Sequence, residues 1–300
     1  MRMLVLGATG FLGAHITERL RALPGVRVSI GGRSPDADVP LDLTAEPTRL
    51  ADALGAAAPD AVVNCVGLVA GSAVRLAELN ARGPAALCEA LREAAPTARL
   101  VHLGSAGEYG PTPAQIPVAE DTPTRPLTPY GATKLAGTVA VTGSGLDAVV
   151  LRVFNPVGPG APAAGLPGRL AAELLRAGAD GTVRVGDLSA YRDFVDARDV
   201  ADAVACAVRL PGPLPAVLNI GSGTATPVRE LADRYVEVAG HRRPLEETGA
   251  GSARSGAVSW SCADIGAART ALDWEPRRTL AESVLDHWRA LSPDRTRVGL

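Results

Sequence analysis

The sequence is almost without lysine. Of its 30 basic residues, 29 are arginine and one, Lys134, is lysine. This bias is typical of a GC-rich genome, in which arginine replaces lysine wherever any cation is sufficient. A single surviving lysine therefore indicates a position where arginine does not serve. Guanidinium is planar and never deprotonates, whereas ammonium is a compact charge on a flexible stem.

The sequence also lacks the features of two broad protein classes. Its net charge is only −2 and it has no basic run, so nothing supports a nucleic-acid partner. No apolar run reaches the ~18 residues that a membrane-spanning helix needs. The apolar N-terminus breaks at Gly7 without a small-residue cleavage site. It therefore predicts a β-strand rather than a signal peptide, and we expect a cytoplasmic protein with no membrane partner.

Cysteine and histidine are scarce, with four of each in 300 residues. No CxxC pair is present, and both residue types are scattered along the chain. This spacing excludes a disulfide framework and gives no support for a metal site. Buried free thiols are the best interpretation of the cysteines, Cys65, Cys88, Cys206 and Cys262.

Short β-like runs alternate with helical segments through the first half of the chain. The predicted strands are 2–7, 26–31, 60–67, 99–105 and 146–155; the predicted helices are 11–23 and 72–94, the second interrupted at Gly83-Pro84. Strands this apolar are buried on both faces, and their alternation with helices predicts an α/β fold, a doubly wound parallel sheet of the Rossmann type.

The composition of the sequence changes after Asn155. Residues 155–168 are rich in Gly and Pro and predict a loop. Further helices are predicted near 169–177, 197–209, 227–239 and 279–291, with a strand at 216–221. We therefore predict a dinucleotide-binding lobe over 1–155, to which 193–221 returns. A smaller C-terminal α/β lobe for the substrate would comprise 156–192 and 222–300.

The string GATGFLG places Gly7, Gly10 and Gly13 between the first strand and the first helix. Glycines here let the backbone approach a pyrophosphate, which then lies at the helix N-terminus. A tight turn without a ligand is the alternative. The strand before the motif and the helix after it favour a dinucleotide site.

The end of the second strand distinguishes the two nicotinamide cofactors. NAD sites usually carry an acid about 20 residues beyond the glycines, which binds the ribose 2′-hydroxyl. Here the strand ends with Arg33 and Ser34, which suit a 2′-phosphate, so NADP(H) is preferred and NAD(H) is possible. A solvated surface arginine is the alternative. Asp42 and Leu43 could close over the adenine, although Asp42 could equally be a turn residue.

The string YGATK contains the lysine. In a helix that begins near Pro129, Tyr130 and Lys134 lie one above the other on one face. A phenol with a pKa of about 10 is a poor proton carrier at neutral pH, and a nearby ammonium lowers that pKa. We therefore predict that Lys134 tunes Tyr130 and reaches the cofactor ribose. The alternative is an ordinary pair of residues on the protein surface, because a tyrosine and a lysine at this spacing also occur by chance.

Ser105 ends the predicted strand 99–105. Ligands bind at the carboxyl ends of strands in this architecture. The Ser105 hydroxyl could therefore hold a substrate oxygen beside Tyr130, although a serine here could also be an ordinary turn residue.

Three strings in this order, GATGFLG, GSAGEYG and YGATK, resemble the extended short-chain dehydrogenase/reductases, which are nucleotide-sugar epimerases, dehydratases and reductases. The likeness extends over nearly the whole chain through ELNARGPAALCEA, LRVFNPVGPG, YRDFVDARDVADAV, LNIGSG and LDWEP. In these local strings the sequence is most similar to the GDP-4-keto-6-deoxymannose reductase branch of the family. The resemblance implies a Rossmann lobe with NAD(P), a lobe that grips a nucleoside diphosphate sugar, and a homodimer formed through the YxxxK helix.

The resemblance also implies roles for individual residues. Ser105, Tyr130 and Lys134 form the catalytic trio. The cofactor would be bound by these last two and by Gly7, Gly10, Phe11, Leu12, Gly13, Arg33, Ser34, Asp42, Leu43, Val66, Gly67, Asn80 and Phe154.

The substrate side is implied in the same way, with Ser105, Ala106, Asn155, Arg192 and Arg254 as its residues. Arg192 would contact a phosphate; a salt bridge to Asp193 or Asp196 is the alternative. Arg254 lies in RSGAV, which is similar to the family's Arg-Pro-Gly-Asp motif but has Ser and Ala at two of its positions.

The strand-end string also bears on the reaction. Dehydratases of the family carry an Asp-Glu pair where this chain has Ala106 and Gly107, and neither can transfer a proton. Because an epimerase normally retains NAD and a reductase commonly uses NADPH, Arg33 favours reduction. We predict NADPH-dependent reduction of the C4 ketone of a nucleoside diphosphate 4-keto-6-deoxyhexose. The alternatives are an NAD-dependent 4-epimerase, a reductase of non-sugar carbonyls and a catalytically inactive NADP sensor.

Overall fold

A seven-stranded parallel sheet organises the chain in the computed structural model, which describes residues 1–248 and 258–292. The strands run in the order β11-β6-β5-β4-β1-β2-β3. Their bounds are Arg2–Leu6 (β1), Arg27–Gly32 (β2), Val39–Pro40 (β3), Ala61–Asn64 (β4), Arg99–Ser105 (β5), Ala148–Val153 (β6) and Val217–Ile220 (β11). This arrangement confirms the doubly wound Rossmann fold.

The order of the strands locates the binding edge of the sheet. β1 pairs in parallel with β2 on one side and with β4 on the other, so that Leu6 lies opposite both Gly31 and Asn64. The direction of winding reverses between β1 and β4. In open parallel sheets, ligands bind in the crevice outside the carboxyl ends of the strands at this switch point.

Helices cover both faces of the sheet. They are Phe11–Arg21 (α1), Pro47–Ala57 (α2), Ala73–Ala77 (α3), Gly83–Ala94 (α4), Pro129–Thr142 (α5), Leu166–Ala177 (α6), Ala197–Arg209 (α7), Val228–Ala239 (α8), Gly266–Leu272 (α9) and Leu280–Leu291 (α10). One apolar core lies between the sheet and α1 and α7, and a second lies between the sheet and α2 and α4. Strands buried on both faces explain the unbroken apolar runs in the sequence.

The predicted interruption at Gly83-Pro84 is wrong. The chain stays helical from Ala73 to Ala94, with a π-helical turn over Glu78–Arg82 before α4 begins at Gly83. Pro84 lies in the first turn of α4, where the missing N–H and the fixed φ of proline are compatible with a helix.

The predicted strand over 146–155 is divided in two. β6 stays in the main sheet, whereas Asn155–Val157 (β7) pairs with Phe194–Asp196 (β10) in a separate two-stranded sheet. The remaining short strands are Arg184–Val185 (β8), Tyr191–Arg192 (β9), Thr226–Pro227 (β12) and Glu246–Glu247 (β13). A third apolar core joins α6, α8 and α10, while β11 and α7 belong to the main sheet and its first core. The division of the chain into two lobes stays a prediction.

The scarce residue types are also located by the structure. All four cysteines are free; Cys88 and Cys262 are buried, and Cys65 and Cys206 are half-buried.

Within residues 1–248 and 258–292, no helix combines the length and hydropathy that a bilayer span requires. In the same part of the chain, no group of three or more His, Cys, Asp and Glu side chains could hold a metal ion.

Candidate active site

The glycine turn between β1 and α1 has the form that a dinucleotide requires. Gly7 has a φ of +77°, and a Cβ on Gly13 would lie 2.0 Å from the Gly7 carbonyl oxygen. Gly10 is the N-cap of α1, and among the described residues no side chain caps the first turn and no acid lies in it. The unbonded N–H groups and the helix dipole there suit a pyrophosphate, so these residues fit NAD(P).

The end of β2 carries the residues predicted to select the cofactor. Arg33 and Ser34 follow the strand and are exposed. The Asp42 carboxylate accepts hydrogen bonds from the Thr44 N–H at 2.9 Å and the Thr44 hydroxyl at 2.8 Å, so Asp42 forms a turn. Burial opposes ionisation of Asp42, but these bonds and the charge of Arg33 outweigh it and lower its pKa. Leu43 is buried, with its Cβ 3.3 Å from where a Cβ on Gly83 would lie.

The loop after β4 connects the glycine turn to the lysine. A Cβ on Gly7 would lie 2.9 Å from the Val66 nitrogen, and one on Gly67 would lie 3.8 Å from Lys134 Nζ. Asn80, which is fully buried, holds this loop in place. Its side chain accepts from the Leu68 N–H and donates to the Leu68 carbonyl, each over 2.8 Å. Asn80 therefore supports the loop after β4, and its side chain is bonded to the backbone of Leu68 rather than directed to an open site.

Tyr130 and Lys134 lie on α5 as the sequence predicts. The Thr128 side chain caps the helix by accepting from the Gly131 N–H at 3.1 Å, and Pro129 lies in the first turn. Asn80 donates to the Thr133 hydroxyl at 3.2 Å, and that hydroxyl donates to the Tyr130 carbonyl at 3.0 Å. The first turn of α5 is thereby fixed to the helical segment that contains Asn80.

Ser105 and Tyr130 converge on one point, the backbone of Gly107. A Cβ on Gly107 would lie 3.3 Å from Tyr130 Cε1 and 3.4 Å from Ser105 Oγ. Ser105 Oγ accepts from the Gly107 N–H at 3.1 Å, and Ala106 lies between them in a short 3₁₀ turn, Ala106–Glu108. A side chain at position 107 would therefore crowd both the Ser105 hydroxyl and the Tyr130 ring, which are 25 positions apart in the sequence.

Lys134 is buried and still has a polar partner. Its ammonium donates to the Leu103 carbonyl at 2.5 Å, and its exposed fraction is 5%. Burial lowers the pKa of Lys134 to about 8, a change that the negative charge of Glu108 partly opposes. A lysine with this pKa is mainly protonated at neutral pH and loses its proton at slightly higher pH. Its positive charge suits a group that tunes a nearby proton carrier.

The sequence did not identify Glu108 as a structural part of this site. Its side chain is fully buried, and its carboxylate accepts from the Ser105 N–H at 2.8 Å and pairs with Arg152 at 2.8 Å. The signal was present, since Ser105 and Glu108 form a capping box, for which Ser-x-x-Glu is the sequence signature. Because the carboxylate is directed into the interior, Glu108 does not occupy the place of a dehydratase acid.

Two of the residues predicted to face the substrate, Asn155 and Arg192, lie on β7 and β9, and Phe154, which was predicted to bind the cofactor, directly precedes β7. Asn155 is half-buried, and its side-chain amide donates to the Asp193 carbonyl at 2.9 Å. Phe154 has a fully buried side chain that packs beside the Tyr109 ring, with the centroids 6.4 Å apart. The Phe154 ring is therefore a core group.

Arg192 is buried, and neither aspartate suggested as its partner is available to it in a simple ion pair. Its guanidinium donates to the Tyr191 carbonyl at 2.7 Å and to the Val258 carbonyl at 2.6 Å. The Asp193 carboxylate accepts from the N–H groups of Ser222, Gly223 and Ala263, and Asp196 pairs with Arg198. Burial lowers the pKa of Arg192. Arg254 lies outside the described residues.

Comparison with known proteins identifies the family. The family model for the NAD dependent epimerase/dehydratase family matches residues 3–221. A dTDP-6-deoxy-L-talose 4-dehydrogenase (NAD(P)(+)) from Kitasatospora kifunensis is 36% identical, with 97% of this chain and 96% of that protein covered. A UDP-glucose 4-epimerase from Mycolicibacterium smegmatis is 32% identical, covering 95% of this chain and 96% of its own.

The predicted likeness to the reductase branch is confirmed. A GDP-6-deoxy-D-mannose reductase from Pseudomonas aeruginosa is 29% identical over 79% of this chain and 80% of its own. Among solved structures, MoeE5 in complex with UDP-glucuronic acid and NAD is similar to this chain, with a TM-score of 0.85 and 29% sequence identity. The alignment covers 98% of this chain and 99% of MoeE5.

The glycine turn, the strand-end serine and the Tyr-Lys helix thus occur together in a chain whose sequence matches one family over most of its length. The chain belongs to the NAD-dependent epimerase/dehydratase family and is an NAD(P)-dependent enzyme of the extended short-chain dehydrogenase/reductase type.

Proposed function

We propose that the protein acts on a nucleoside diphosphate 6-deoxyhexose and interconverts its C4 ketone and C4 alcohol, with NADP(H) as the preferred cofactor and NAD(H) as a possible one. In the direction of synthesis it is a 4-ketoreductase. The observation that carries the proposal is the convergence of Ser105 Oγ and the Tyr130 ring on Gly107, which brings a hydroxyl and a phenol to the same strand end. The 4-dehydrogenase and the 4-epimerase among the relatives support chemistry at C4.

The residues of the chain have distinct tasks in this reaction. When bound, the cofactor supplies or accepts the hydride. Tyr130 transfers a proton to or from the C4 oxygen, and the Ser105 hydroxyl donates a hydrogen bond that holds this oxygen. Lys134 stabilises the phenolate of Tyr130 and would hold the nicotinamide ribose. Gly7, Gly10 and Gly13 leave the space that the pyrophosphate needs.

Dehydration requires a second acid that this strand end does not provide. Ala106 and Gly107 cannot transfer a proton, and the carboxylate of Glu108 is bonded to Ser105, Thr138 and Arg152 in the interior. The proposal therefore confines the chemistry to redox at one carbon.

A 4-epimerase is the second candidate, because it performs the same redox step twice on one carbon and an epimerase is 32% identical to this chain. The two functions differ in net cofactor consumption. We expect one NADPH oxidised for each nucleoside diphosphate 4-keto-6-deoxyhexose consumed, measured together by absorbance and chromatography with UDP-, dTDP- and GDP-linked substrates. Inversion at C4 of the corresponding nucleoside diphosphate sugars that carry a C4 hydroxyl, without net NADPH oxidation and with a retained NAD, would favour the epimerase.

We further infer a homodimer formed through α5. The inference follows from the family resemblance, and Val139 on this helix is 61% exposed, so a partner helix could pack against it. Sedimentation of the wild type and of a Val139→Glu variant tests this inference; a monomeric wild type would contradict it. The cytoplasmic location stays a prediction.

A further inference from the structure

Glu108 joins three separate elements although it is fully buried. Its Oε1 accepts from the Ser105 N–H at 2.8 Å. Its Oε2 accepts from the Thr138 hydroxyl at 2.9 Å and from Arg152 Nε at 2.8 Å. These donors lie on β5, α5 and β6, so one carboxylate connects the strand end that carries Ser105 to the helix that carries Tyr130 and Lys134.

The surroundings of Glu108 are arranged to hold a charged group in one position. A Cβ on Gly104 would lie 2.8 Å from Glu108 Oε1, so a larger residue at 104 would displace the carboxylate. Arg152 has a side chain only 6% exposed, and its guanidinium lies 4.6 Å from the centroid of the Tyr109 ring. A buried ion pair that is fully hydrogen-bonded keeps a fixed geometry, because breaking it leaves an uncompensated charge in the interior.

The contacts of Glu108 bear directly on the catalytic side chains. Thr138 is four positions after Lys134, so both side chains lie on the same face of α5. The Ser105 N–H belongs to the residue whose hydroxyl approaches Tyr130. We propose that Glu108 is a positioning residue: through Ser105 and Thr138 it fixes the strand end against α5 and thereby sets the place of the Ser105 hydroxyl relative to Tyr130 and Lys134. This inference rests on the proposed function only for the catalytic roles of Ser105, Tyr130 and Lys134.

The electrostatics around Lys134 support this role. Burial lowers the pKa of Lys134, and the charge of Glu108 is the main influence that raises it. Two further titratable groups near the lysine, apart from Tyr130 itself, are uncharged. Burial raises the pKa of the Cys65 thiol to about 12, and burial together with the Lys134 charge places the pKa of His102 well below its usual range. Arg152, on β6, is paired with Glu108, so the negative charge facing Lys134 from these groups is that of Glu108.

The single lysine makes a direct test possible. Protein labelled with ¹³C,¹⁵N-lysine has one lysine side chain, that of Lys134, and its NMR titration reports one pKa without substrate or cofactor. In Glu108→Gln, which preserves the shape and an acceptor for the Ser105 N–H, we expect this pKa to fall by about one unit. We also expect kcat to fall at least tenfold with little change in the KM for NADPH, because the cofactor turn is untouched, and the alkaline limb of the kcat profile should move to lower pH.

A double variant separates loss of the charge from damage to the fold. Glu108→Gln with Arg152→Met leaves no unpaired charge, so it should fold even if the single variant does not, as monitored by circular dichroism. Its Lys134 pKa should lie between those of the wild type and the single variant, and its kcat should remain below that of the wild type. The proposal is overturned if the folded single variant, or the folded double variant where the single one does not fold, keeps the wild-type lysine pKa and kcat.

The wild-type titration provides an outcome that needs no variant. A Lys134 pKa above about 10, near that of a free lysine, would overturn the electrostatic part of the proposal. If instead the wild type turns over no nucleoside diphosphate 4-ketosugar, the proposed function fails while the lysine titration still tests Glu108. The two failures are therefore distinguishable.

Discussion

The ammonium group of Lys134 donates a hydrogen bond to the backbone carbonyl of Leu103 over 2.5 Å. Leu103 lies on β5, two residues before Ser105, so this bond ties the lysine of α5 to the strand that ends with the serine. A charge held by backbone in the interior has little freedom to move. The only lysine in the chain is therefore part of the wall of the candidate site.

Replacing Lys134 with arginine should inactivate the enzyme without unfolding it. The compact ammonium is buried and donates to the Leu103 carbonyl, and a planar guanidinium cannot make this contact in the same way. We expect kcat to fall by roughly 10²–10⁴, the range for loss of a tuned proton carrier. The exchange of Arg21, an exposed residue, for lysine is the control and should leave kcat unchanged. Full activity of the Lys134→Arg protein would refute the tuning role.

Removing the hydroxyl of Tyr130 should stop proton transfer. Tyr130→Phe keeps the ring near Gly107 but has no acidic proton, so kcat should fall by about 10²–10⁴ while NADPH still binds, as measured by fluorescence titration. Tyr235→Phe is a matched control, because it removes a buried hydroxyl that lies 2.5 Å from His287 Nδ1. The control should lose about 1–3 kcal/mol of stability and retain its kcat. Comparable turnover by both variants would contradict the proposed mechanism.

Replacing Arg33 with alanine should affect the two cofactors unequally. Loss of a charged hydrogen-bonding partner costs about 1.5–3 kcal/mol, so the Kd for NADPH should rise roughly 10- to 100-fold. The Kd for NADH, which has no 2′-phosphate, should change less than about threefold by the same reasoning. Arg27→Ala removes an exposed arginine at the other end of β2 and should change neither Kd. Equal effects of Arg33→Ala on both cofactors would refute the preference for NADP(H).

The cost of burying Lys134 should be visible in the stability of the fold. Burial lowers its pKa from 10.5 to about 8, which corresponds to roughly 3 kcal/mol against the charged form. Between about pH 8 and 10.5 the folded state binds fewer protons than the unfolded state, so this contribution makes the wild type more stable as pH rises.

The matching variant is Lys134→Met, which fills the same space without charge. At pH 7 it should be more stable than the wild type by up to about 3 kcal/mol and have no turnover. The difference in the free energy of unfolding, measured with urea, should shrink as pH rises through 8 towards 10. A Met variant that is less stable than the wild type at pH 7 would show that the buried charge is fully compensated.

The sequence by itself predicted the main strands of the sheet and the glycine turn between β1 and α1, but it did not predict β3 or α2. Apolar runs that alternate with helical periods specify buried parallel strands, and a glycine turn between a strand and a helix is a local feature. The spacing of Tyr130 and Lys134 placed them on one face of a helix because helical geometry depends only on neighbours along the chain. The same local reasoning failed at Gly83-Pro84, where a π-helical turn carries the chain past the expected break.

Only the tertiary structure decided which distant groups meet. Ser105 and Tyr130 converge on Gly107 because β5 and α5 pack together, and Glu108 is directed into the interior because Arg152 on β6 and Thr138 on α5 provide its partners. Burial of Lys134, and therefore the lowering of its pKa, likewise depends on elements far away in the sequence. Periodicity and turn chemistry are properties of neighbouring residues, whereas desolvation and hydrogen-bond partners arise only when the whole chain has packed.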